Sequence, residues 1–320
     1  MAHELTQRAD GKVEFAFLKS DGAPWHGLGQ GLEDNTDLDT WRVAAGMDWK
    51  IQRAIVRYNV ERGAEFSPAG YLQLPEQHVL FRNDTKAALG VVSDRYNVVQ
   101  PAEMLEFFRE IAQVGGLELS AAGTIFGGKR FWATAKIGTA APLGLHDKVG
   151  GYILISSSAD GSLATEVRRT TVRTVCNNTL QMARKDAAAS VRVTHRSKLD
   201  VSAIHDFMGL NADAWSKFKG DMVRLANTTV TNDTAERVLK DLFQATESAG
   251  YKKVMSLFQG EGIGATLDGS QGTAWGLINA VTEYADRHVR ARSDANRFVS
   301  SQWGPGAQLK AQALELLLPA

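Results

Sequence analysis

Hydrophobic and polar residues alternate over the middle of the chain and recur at helical spacing over its last part. From about residue 49 to residue 175 the apolar positions tend to alternate, with Gly, Asn and Asp between the runs, as in half-buried strands joined by tight turns. From residue 178 onward the spacing is mostly three or four residues, which is typical of amphipathic helices. The pattern predicts an α+β protein, with an antiparallel sheet followed by a helical C-terminal part.

The alternating region divides into predicted strands that tight turns connect. The pairs Asn83-Asp84, Gly127-Gly128 and Asp160-Gly161 have the residue types that hairpin turns favour. Consecutive strands are therefore expected to pair as antiparallel hairpins, the last of them long and basic. The predicted strands are WKIQRAIVRYN (49–59), GYLQLPEQHVLFR (70–82), ALGVVSDRYNVV (88–99), LELSAAGTIF (117–126), KRFWATAKIG (129–138), GYILISSS (151–158) and LATEVRRTTVRTV (163–175).

Helices are predicted within and after the strand region. Pro101 stands at a first-turn position of the segment PAEMLEFFREIAQV, and Gly115-Gly116 follows it, so a helix is expected between them. Its apolar residues form one stripe that is expected to pack on the sheet; they are Met104, Leu105, Phe108 and Ile111. Further helices are expected near residues 203–230, 233–249, 272–291 and 308–317.

Length and composition limit the classes of protein that the chain can form. With 320 residues, of which 44% are hydrophobic, and a mean hydropathy of -0.21, the chain can bury a large core in one or two domains. We divide it into an N-terminal segment (1–48), a sheet domain with the basic hairpin (49–200) and a helical region (201–320). The single cysteine, Cys176, excludes an internal disulfide and a cysteine-based zinc site.

Targeting and cofactor motifs do not stand out in the sequence. The first residues lack the apolar core of a signal peptide, and no run of about 18 apolar residues predicts a membrane span. The glycine-rich run GEGIGATLDGSQG (260–272) lacks the Lys-Ser/Thr ending of a phosphate-binding loop. We therefore expect a soluble, cytoplasmic protein that contacts no membrane and needs no cofactor.

Charge is balanced over the whole chain but concentrated in one stretch. Lys and Arg together number 36, as do Asp and Glu, whereas residues 167–198 hold eight basic residues and one acid, Asp186. An ordinary solvated surface mixes the two signs. The excess predicts contact with a polyanion, and the basic residues are Arg168, Arg169, Arg173, Arg184, Lys185, Arg192, Arg196 and Lys198.

The strand pattern suggests how this stretch contacts a nucleic acid. Alternation places Arg169 and Arg173 on one strand face, about 13 Å apart at a rise of about 3.3 Å per residue. That spacing fits two phosphates of an extended single strand. Other predicted strands and turns add candidate cations and stacking rings, namely Lys129, Arg130, Trp132, Arg95 and Tyr96.

The basic strand residues and Trp132 each have an alternative interpretation. Arg and Lys residues that alternate with Thr are also found on any solvated strand, and Trp132 fits a hydrophobic core equally well. After the strand, Asn177 or Asn178 is expected to cap a helix formed by TLQMARK (179–185). The N-terminal amides of that helix are then available to an anion.

A second group of residues suggests a different chemistry. In the helix expected from residue 272, Asn279, Glu283, Asp286 and Arg287 lie at i, i+4, i+7 and i+8 and therefore share one face. Two carboxylates so placed are able to hold Mg²⁺ for phosphodiester cleavage. The alternative is a solvated face with an internal ion pair between Glu283 and Arg287.

Several short motifs of the sequence occur in a characteristic order. They are PWHGLG (24–29), DRYNVVQ (94–100), GGKRFWATAKI (127–137), SSADGSLA (157–164), VRTVCNNTL (172–180) and GTAWGLINAVTEYAD (272–286). As an ordered set, spanning most of the chain, they resemble the phage/plasmid-like protein family, whose shared domain has no assigned function. The resemblance implies a mobile-element origin and a bacterial host cytoplasm, and it supplies no catalytic residues.

The predicted architecture is also similar to that of the single-strand annealing recombinases of phages, the Redβ and Erf type. This similarity implies a ring or filament of identical subunits on DNA. With the basic stretch, it leads to the hypothesis of a homo-oligomer that binds single-stranded DNA non-specifically and promotes annealing without ATP. The alternatives are a metal-dependent nuclease that uses Glu283 and Asp286, and a non-enzymatic protein whose basic face binds an acidic partner.

Overall fold

The computed structural model describes residues 5–22, 27–60, 70–114, 116–142, 148–173, 179–181, 190–193, 211–246, 248–267 and 269–318. Contacts between Cα atoms divide the chain into two compact units. The first comprises Met1–Thr134, Ile155–Val167 and Arg192–Ile204, and the second comprises Ala135–Leu154, Arg168–Val191 and His205–Ala320. Each unit draws on separate stretches of sequence, whereas the three predicted domains are consecutive segments, and that division stays a prediction.

Strands occupy the region in which alternation predicts them, and helices dominate the C-terminal part, which confirms the α+β class. The strands are β1 (Phe15–Leu18), β2 (Gln30–Leu32), β3 (Ile51–Val60), β4 (Gly70–Arg82), β5 (Ala88–Ser93), β6 (Leu119–Ile125), β7 (Arg130–Pro142), β8 (Lys148–Ser158), β9 (Thr165–Arg173), β10 (Thr179–Gln181) and β11 (Ser190–Val193). The predicted basic hairpin corresponds to β8 and β9.

The described strands form two sheets. In the larger sheet the order is β10-β9-β8-β7-β6-β1-β2, with β11 also paired to β9, while β3, β4 and β5 form a separate antiparallel sheet. β1 is antiparallel to β6 but parallel to β2, so the expectation of antiparallel pairing fails at this edge. Both strands lie in the N-terminal segment and are too short for alternation to reveal them.

The helices are α1 (Leu38–Ala44), α2 (Pro101–Val114), α3 (Asn211–Asn227), α4 (Asn232–Phe243), α5 (Ala249–Ser256), α6 (Ala274–Glu283), α7 (Asp294–Trp303) and α8 (Pro305–Leu317). The helix expected over 233–249 is divided, because Gln244 ends α4 with a φ of 52° and Ser248 caps α5. After α6 the chain continues as a π-helical turn, Tyr284–His288.

One predicted helix is wrong. Thr179–Gln181 form β10 and pair with Thr170–Val172 of β9, so the start of TLQMARK is a strand. The open edge of β9 offers backbone hydrogen bonds to a neighbouring segment, and this pairing prevails over the local helical pattern. Asn177 and Asn178, the expected capping residues, lie outside the described residues.

Apolar positions form the core of each unit. The α2 stripe is buried at Met104, Leu105 and Phe108, as its spacing predicts. In the second unit every residue of α6 is buried, including Asn279 and Glu283. The interpretation of these two residues as part of a solvated helix face is therefore wrong, because other elements surround α6.

A buried ion pair joins the N-terminal segment to the smaller sheet within the first unit. Two guanidinium nitrogens of Arg82 donate to the carboxylate of Glu14 at 2.6 and 3.1 Å, and both side chains are buried. Asp84 accepts from the same guanidinium at 2.8 and 3.0 Å, and the Trp49 ring lies 4.3 Å from it. Burial alone would lower the pKa of Arg82, but Asp84 and Glu14 raise it above its ordinary value.

This ion pair also explains a glycine. Gly46 has a φ of 70°, which few other residues adopt readily. A Cβ atom at this position would lie 2.3 Å from the Cβ of Glu14, which is closer than carbon atoms can approach. Any side chain at position 46 would therefore displace the carboxylate that Arg82 needs.

Candidate nucleic-acid interface

A tight turn connects β8 to β9, and three residues that the sequence predicts to bind nucleic acid contact it. Ser158 Oγ donates to the carbonyl of Leu163 and accepts from its N–H, both at 3.0 Å. Within the turn, the N–H of Ser162 donates to the Asp160 carboxylate at 2.9 Å. Gly161 has a φ of 75°, which favours glycine. The pair Asp160-Gly161 thus forms the hairpin turn that the sequence predicts.

Two basic residues of the preceding hairpin contact this turn in different ways. The backbone carbonyl of Lys129 accepts from the N–H of Ala159 at 2.8 Å, and the Lys129 side chain is exposed. Arg130 is only 9% exposed and donates to Ser162 Oγ at 3.2 Å. Burial lowers the pKa of Arg130, and Asp160 opposes this shift. Arg130 supports the turn, and its predicted contact with phosphate would require the turn to move.

Tyr96 anchors the segment before α2 on the same turn. Its hydroxyl donates to the carbonyl of Ser158 at 2.8 Å, and the guanidinium of Arg53 donates to the backbone carbonyl of Tyr96. Burial raises the pKa of Tyr96 to about 12, with a further contribution from Asp160. The phenol is therefore a protonated donor near neutral pH. Its contacts here are structural, whereas the sequence suggested a ring that holds a base.

Replacing Tyr96 by Phe is expected to remove one component of alkaline unfolding. The pKa of about 12 in the folded chain exceeds the value of about 10 in an unfolded one. The hydroxyl therefore contributes stability below about pH 10 that is lost as the pH rises toward about 12. Thermal melts over this range are expected to show Y96F below the wild type at about pH 8, through loss of a hydrogen bond worth about 1 kcal/mol, and converging with it at high pH. Parallel curves would contradict this role of the hydroxyl.

Arg168, one of the basic residues predicted to contact a polyanion, is buried within the second unit. Arg168 is 4% exposed; its guanidinium donates to the carbonyl of Gln302 at 2.7 Å and lies 5.4 Å from the Trp303 ring. Alternation shows which residues share a face, but it does not show whether another element covers that face. Here the end of α7 covers it. Arg169 is half-buried, and burial lowers its pKa.

The remaining sequence candidates have varied positions. The Trp132 ring is half-buried and lies 5.7 Å from that of Phe15. Arg192 is largely exposed, and its Nε donates to the buried carboxylate of Glu166 at 2.9 Å. Arg173 is the last residue of β9, and four further basic residues, Arg184, Lys185, Arg196 and Lys198, lie outside the described residues. The predicted contacts of all five stay predictions.

Several basic side chains of the first unit are exposed and have no acidic partner among the described residues. Arg53, Arg57, Arg95 and Lys129 are exposed. Within the described part of the chain, no carboxylate lies within ion-pair distance of any of them. Arg53 and Arg95 both adjoin Tyr96, one through its hydrogen bond and the other through the chain. These side chains give a positive surface to a protein whose net charge is zero.

Strand β3 extends this positive surface. Arg53, Ile55, Arg57 and Asn59 share one face of β3, and the Cα atoms of the two arginines are about 13 Å apart along the strand. Asn59 pairs with Tyr71 of β4, so the Tyr71 ring lies on the same face, where it is 73% exposed. We call Arg53, Arg57 and Tyr71 the cationic row.

The cationic row is not identified from the sequence alone, although its signal is present. The segment RAIVRY (53–58) repeats the four-residue spacing of arginines that RTTVR (169–173) shows. The local charge excess directs attention to residues 167–198 instead. In the folded chain, the spacing and exposure of its side chains distinguish the cationic row from the basic stretch, whereas the local density of charge does not.

The two carboxylates of the magnesium hypothesis are both engaged within the second unit. Glu283 accepts from the N–H of Ile263 at 2.9 Å, and His288 Nε2 lies 3.7 Å from it. Asp286 forms an ion pair with the ammonium of Lys310. Among the described residues, no three His, Cys, Asp or Glu side chains are grouped closely enough to hold a metal ion. The geometry therefore gives the nuclease alternative no support.

The fold and this surface define an α+β protein in which a small antiparallel sheet presents an exposed cationic row. The chain belongs to a family described as a domain of unknown function, DUF932, whose model matches residues 88–303, more than half of the chain. No curated protein and no solved structure matches the chain. Of the helices described, none is both long and apolar enough to cross a bilayer.

Proposed function

We propose that this protein binds single-stranded DNA without sequence preference, through the cationic row and the exposed cations Arg95 and Lys129. One observation carries the proposal. Arg53 and Arg57, neither with an acidic partner in the described chain, share a strand face with Tyr71, the most exposed of the large hydrophobic side chains described. Cations that follow a phosphate backbone beside a ring that stacks on bases are the elements of non-specific single-strand binding.

The binding energy would come from two sources. Each guanidinium that neutralises a phosphate releases condensed counterions, so this contribution falls as salt rises. Stacking of a base on Tyr71 is worth about 1–3 kcal/mol and tolerates any base, since every base has an aromatic face. Neither source reads the hydrogen-bonding edge of a base. The edges therefore remain available for pairing with a second strand.

This availability favours strand annealing as the biological role. We infer that the protein acts as a homo-oligomer, a ring or filament, that promotes annealing without ATP and without a resident cofactor. The support is the resemblance of the sequence to the phage/plasmid-like family and the likeness of the architecture predicted from the sequence to that of the Redβ and Erf type. On the same basis we infer a mobile-element origin, a bacterial host cytoplasm and no contact with membranes.

Replacing Arg53 and Arg57 together by Ala is expected to weaken binding of a labelled single-stranded oligonucleotide at least about tenfold at low salt. Because two phosphate contacts are lost, the slope of log K against log salt is expected to flatten by roughly 1.4. Fluorescence anisotropy over a salt series measures both quantities. Tyr71→Ala is expected to weaken binding to a similar degree while it leaves the salt slope unchanged, since stacking releases no counterions.

The matched control removes two exposed charges elsewhere, by Arg237→Ala with Lys240→Ala on α4. This variant is expected to bind as the wild type does. Equal affinity and equal salt slope for the wild type and the Arg53/Arg57 variant would exclude the cationic row as the binding surface. Annealing is tested by mixing complementary labelled strands with the protein in the absence of ATP and Mg²⁺, and then checking that the strands keep their length.

A further inference from the structure

The smaller sheet presents a second surface on the side opposite the cationic row. Cross-strand pairs share a face, and the register pairs Ala54 with Val79 and Val79 with Val91, as well as Tyr58 with Leu72. The β3–β4 register shifts between Ile55 and Arg57, and alternation on either side of that shift adds three more apolar positions to this side. We call the set the outer face; its members are Ala54, Val56, Tyr58, Leu72, Leu74, Val79, Phe81 and Val91.

The outer face itself is apolar, with the polar Gln52, Gln77 and Ser93 beside it on the same side of the sheet, and solvent reaches it. Val91 is 55% exposed, Tyr58 48% and Leu72 41%. On the other side of the sheet Leu80 and Val92 are buried, so the sheet already packs its core-facing residues there. An antiparallel sheet with one face in the core normally carries polar residues on the other. A contiguous apolar face left in solvent marks a place where another protein surface docks.

The chemistry of the face indicates which surface docks on it. None of its eight members carries a charge, and the Nζ of Lys86 lies at its edge, 6.0 Å from the Phe81 ring. We propose that the outer face packs against the same face of a second copy of this chain, as two sheets related by a two-fold axis.

The charge, the area and the side chains of the outer face are all compatible with self-association. An isologous contact of uncharged faces buries no unpaired charge, and a net charge of zero means that two copies do not repel each other at long range. The exposed parts of these side chains amount to roughly 500 Å² per copy, and with a polar rim the contact approaches the roughly 800 Å² per partner of a standard interface. Tyr58 supplies the large aromatic anchor that such interfaces favour.

The two surfaces of the sheet are then used at the same time. Arg53 and Arg57 alternate with Ala54, Val56 and Tyr58, and the register places Arg53 on the same side of the sheet as the buried Leu80 and Val92. Both arginines are nevertheless exposed, so pairing through the outer face does not cover them. The dimer requires no DNA. The dimer rests on the proposed function in one respect: it would be the unit from which the annealing oligomer is built.

Sedimentation of the wild type from about 1 to about 100 μM is expected to show a monomer–dimer equilibrium or a larger species built from dimers. Leu72→Asp and Val91→Asp place like charges across the two-fold axis and are each expected to weaken the dimer at least about tenfold. Val43→Asp is the matched control, because Val43 is similarly exposed on α1, and it is expected to associate as the wild type does.

A second measurement covers the case in which an Asp variant does not fold. In a Cys176→Ser background, Leu72→Cys or Tyr58→Cys is expected to give dimers with a short bis-maleimide, whereas Val43→Cys is not. A wild type that stays monomeric throughout, or cross-linking that is equal at Val43 and Leu72, overturns the inference. In the first case the face would serve a different protein partner.

The two proposals fail independently in this set of variants. A dimer that does not bind the labelled oligonucleotide removes the proposed function and keeps the interface. A monomer that binds the oligonucleotide with the predicted dependence on Arg53 and Arg57 removes the interface and keeps the function. The Leu72→Asp variant is expected to bind a short oligonucleotide, one that a single chain covers, with wild-type affinity per chain.

Discussion

Replacing Glu14 by Ala is expected to lower the free energy of unfolding by about 3–5 kcal/mol, because it leaves the guanidinium of Arg82 buried without its buried counterion. Arg82 is 3% exposed, and two of its nitrogens donate to Glu14. Asp84 remains as a partner, but it lies closer to solvent and offsets only part of the loss. Urea unfolding followed by circular dichroism measures the change.

Two control variants separate the buried charge from lost packing. Asp39→Ala breaks an exposed ion pair with Arg42 and is expected to leave the urea midpoint nearly unchanged, as for most surface pairs. Glu14→Leu combined with Arg82→Met removes both charges and is expected to recover much of the stability that Glu14→Ala loses. A wild-type midpoint for Glu14→Ala alone would show that Arg82 does not depend on this carboxylate.

Replacing Asp286 by Ala is expected to destabilise the protein by a similar amount, about 3–5 kcal/mol, through the second unit. The Lys310 side chain is 3% exposed, and its ammonium contacts the Asp286 carboxylate. Burial holds the pKa of Lys310 below its ordinary value, and Asp286 offsets part of this shift. Loss of the carboxylate therefore leaves a buried charge that the folded chain holds only at a high cost in free energy.

The pH dependence distinguishes this effect from a simple loss of packing. An unfolded chain keeps the lysine proton up to about pH 10.4, whereas Lys310 in the folded variant loses it at a lower pH. Between these two values the unfolded state binds more protons, so the stability of Asp286→Ala rises with pH. Urea midpoints at about pH 7 and about pH 9.5 test this rise. Adding Lys310→Met to Asp286→Ala should restore stability and abolish its dependence on pH. Equal urea midpoints of Asp286→Ala at the two pH values would contradict the role of the buried Lys310 charge.

Much of the fold follows from the sequence because strands and turns are specified locally. β4 begins at Gly70 and ends at Arg82, where alternation and the pair Asn83-Asp84 predict it. The N-terminal elements β1, β2 and α1 do not follow in this way, since segments of three to seven residues contain too few positions to define a period. Their conformation depends on pairing and packing with partners that are distant in sequence.

The candidate site follows from the sequence only in part, because burial is decided by contacts that the local pattern does not contain. Arg168 and Arg53 both lie on alternating strands, yet Gln302, 134 residues further along the chain, covers Arg168, while Arg53 remains exposed. A count of charges treats the two side chains alike. The basic stretch therefore predicts the kind of partner, whereas only the fold shows that the cationic row on β3 is exposed.

Strand β1 lies outside the segment that the family model matches, yet it pairs with a strand inside it. The family match begins at residue 88, whereas the antiparallel partner of β6 on one side is β1, through Phe15, Ala16 and Phe17. Without β1, β6 would become an edge strand with a row of open amides and carbonyls. Residues that precede the family match therefore complete the larger sheet of this chain. A chain reduced to residues 88–303 would leave this edge of β6 open to another strand.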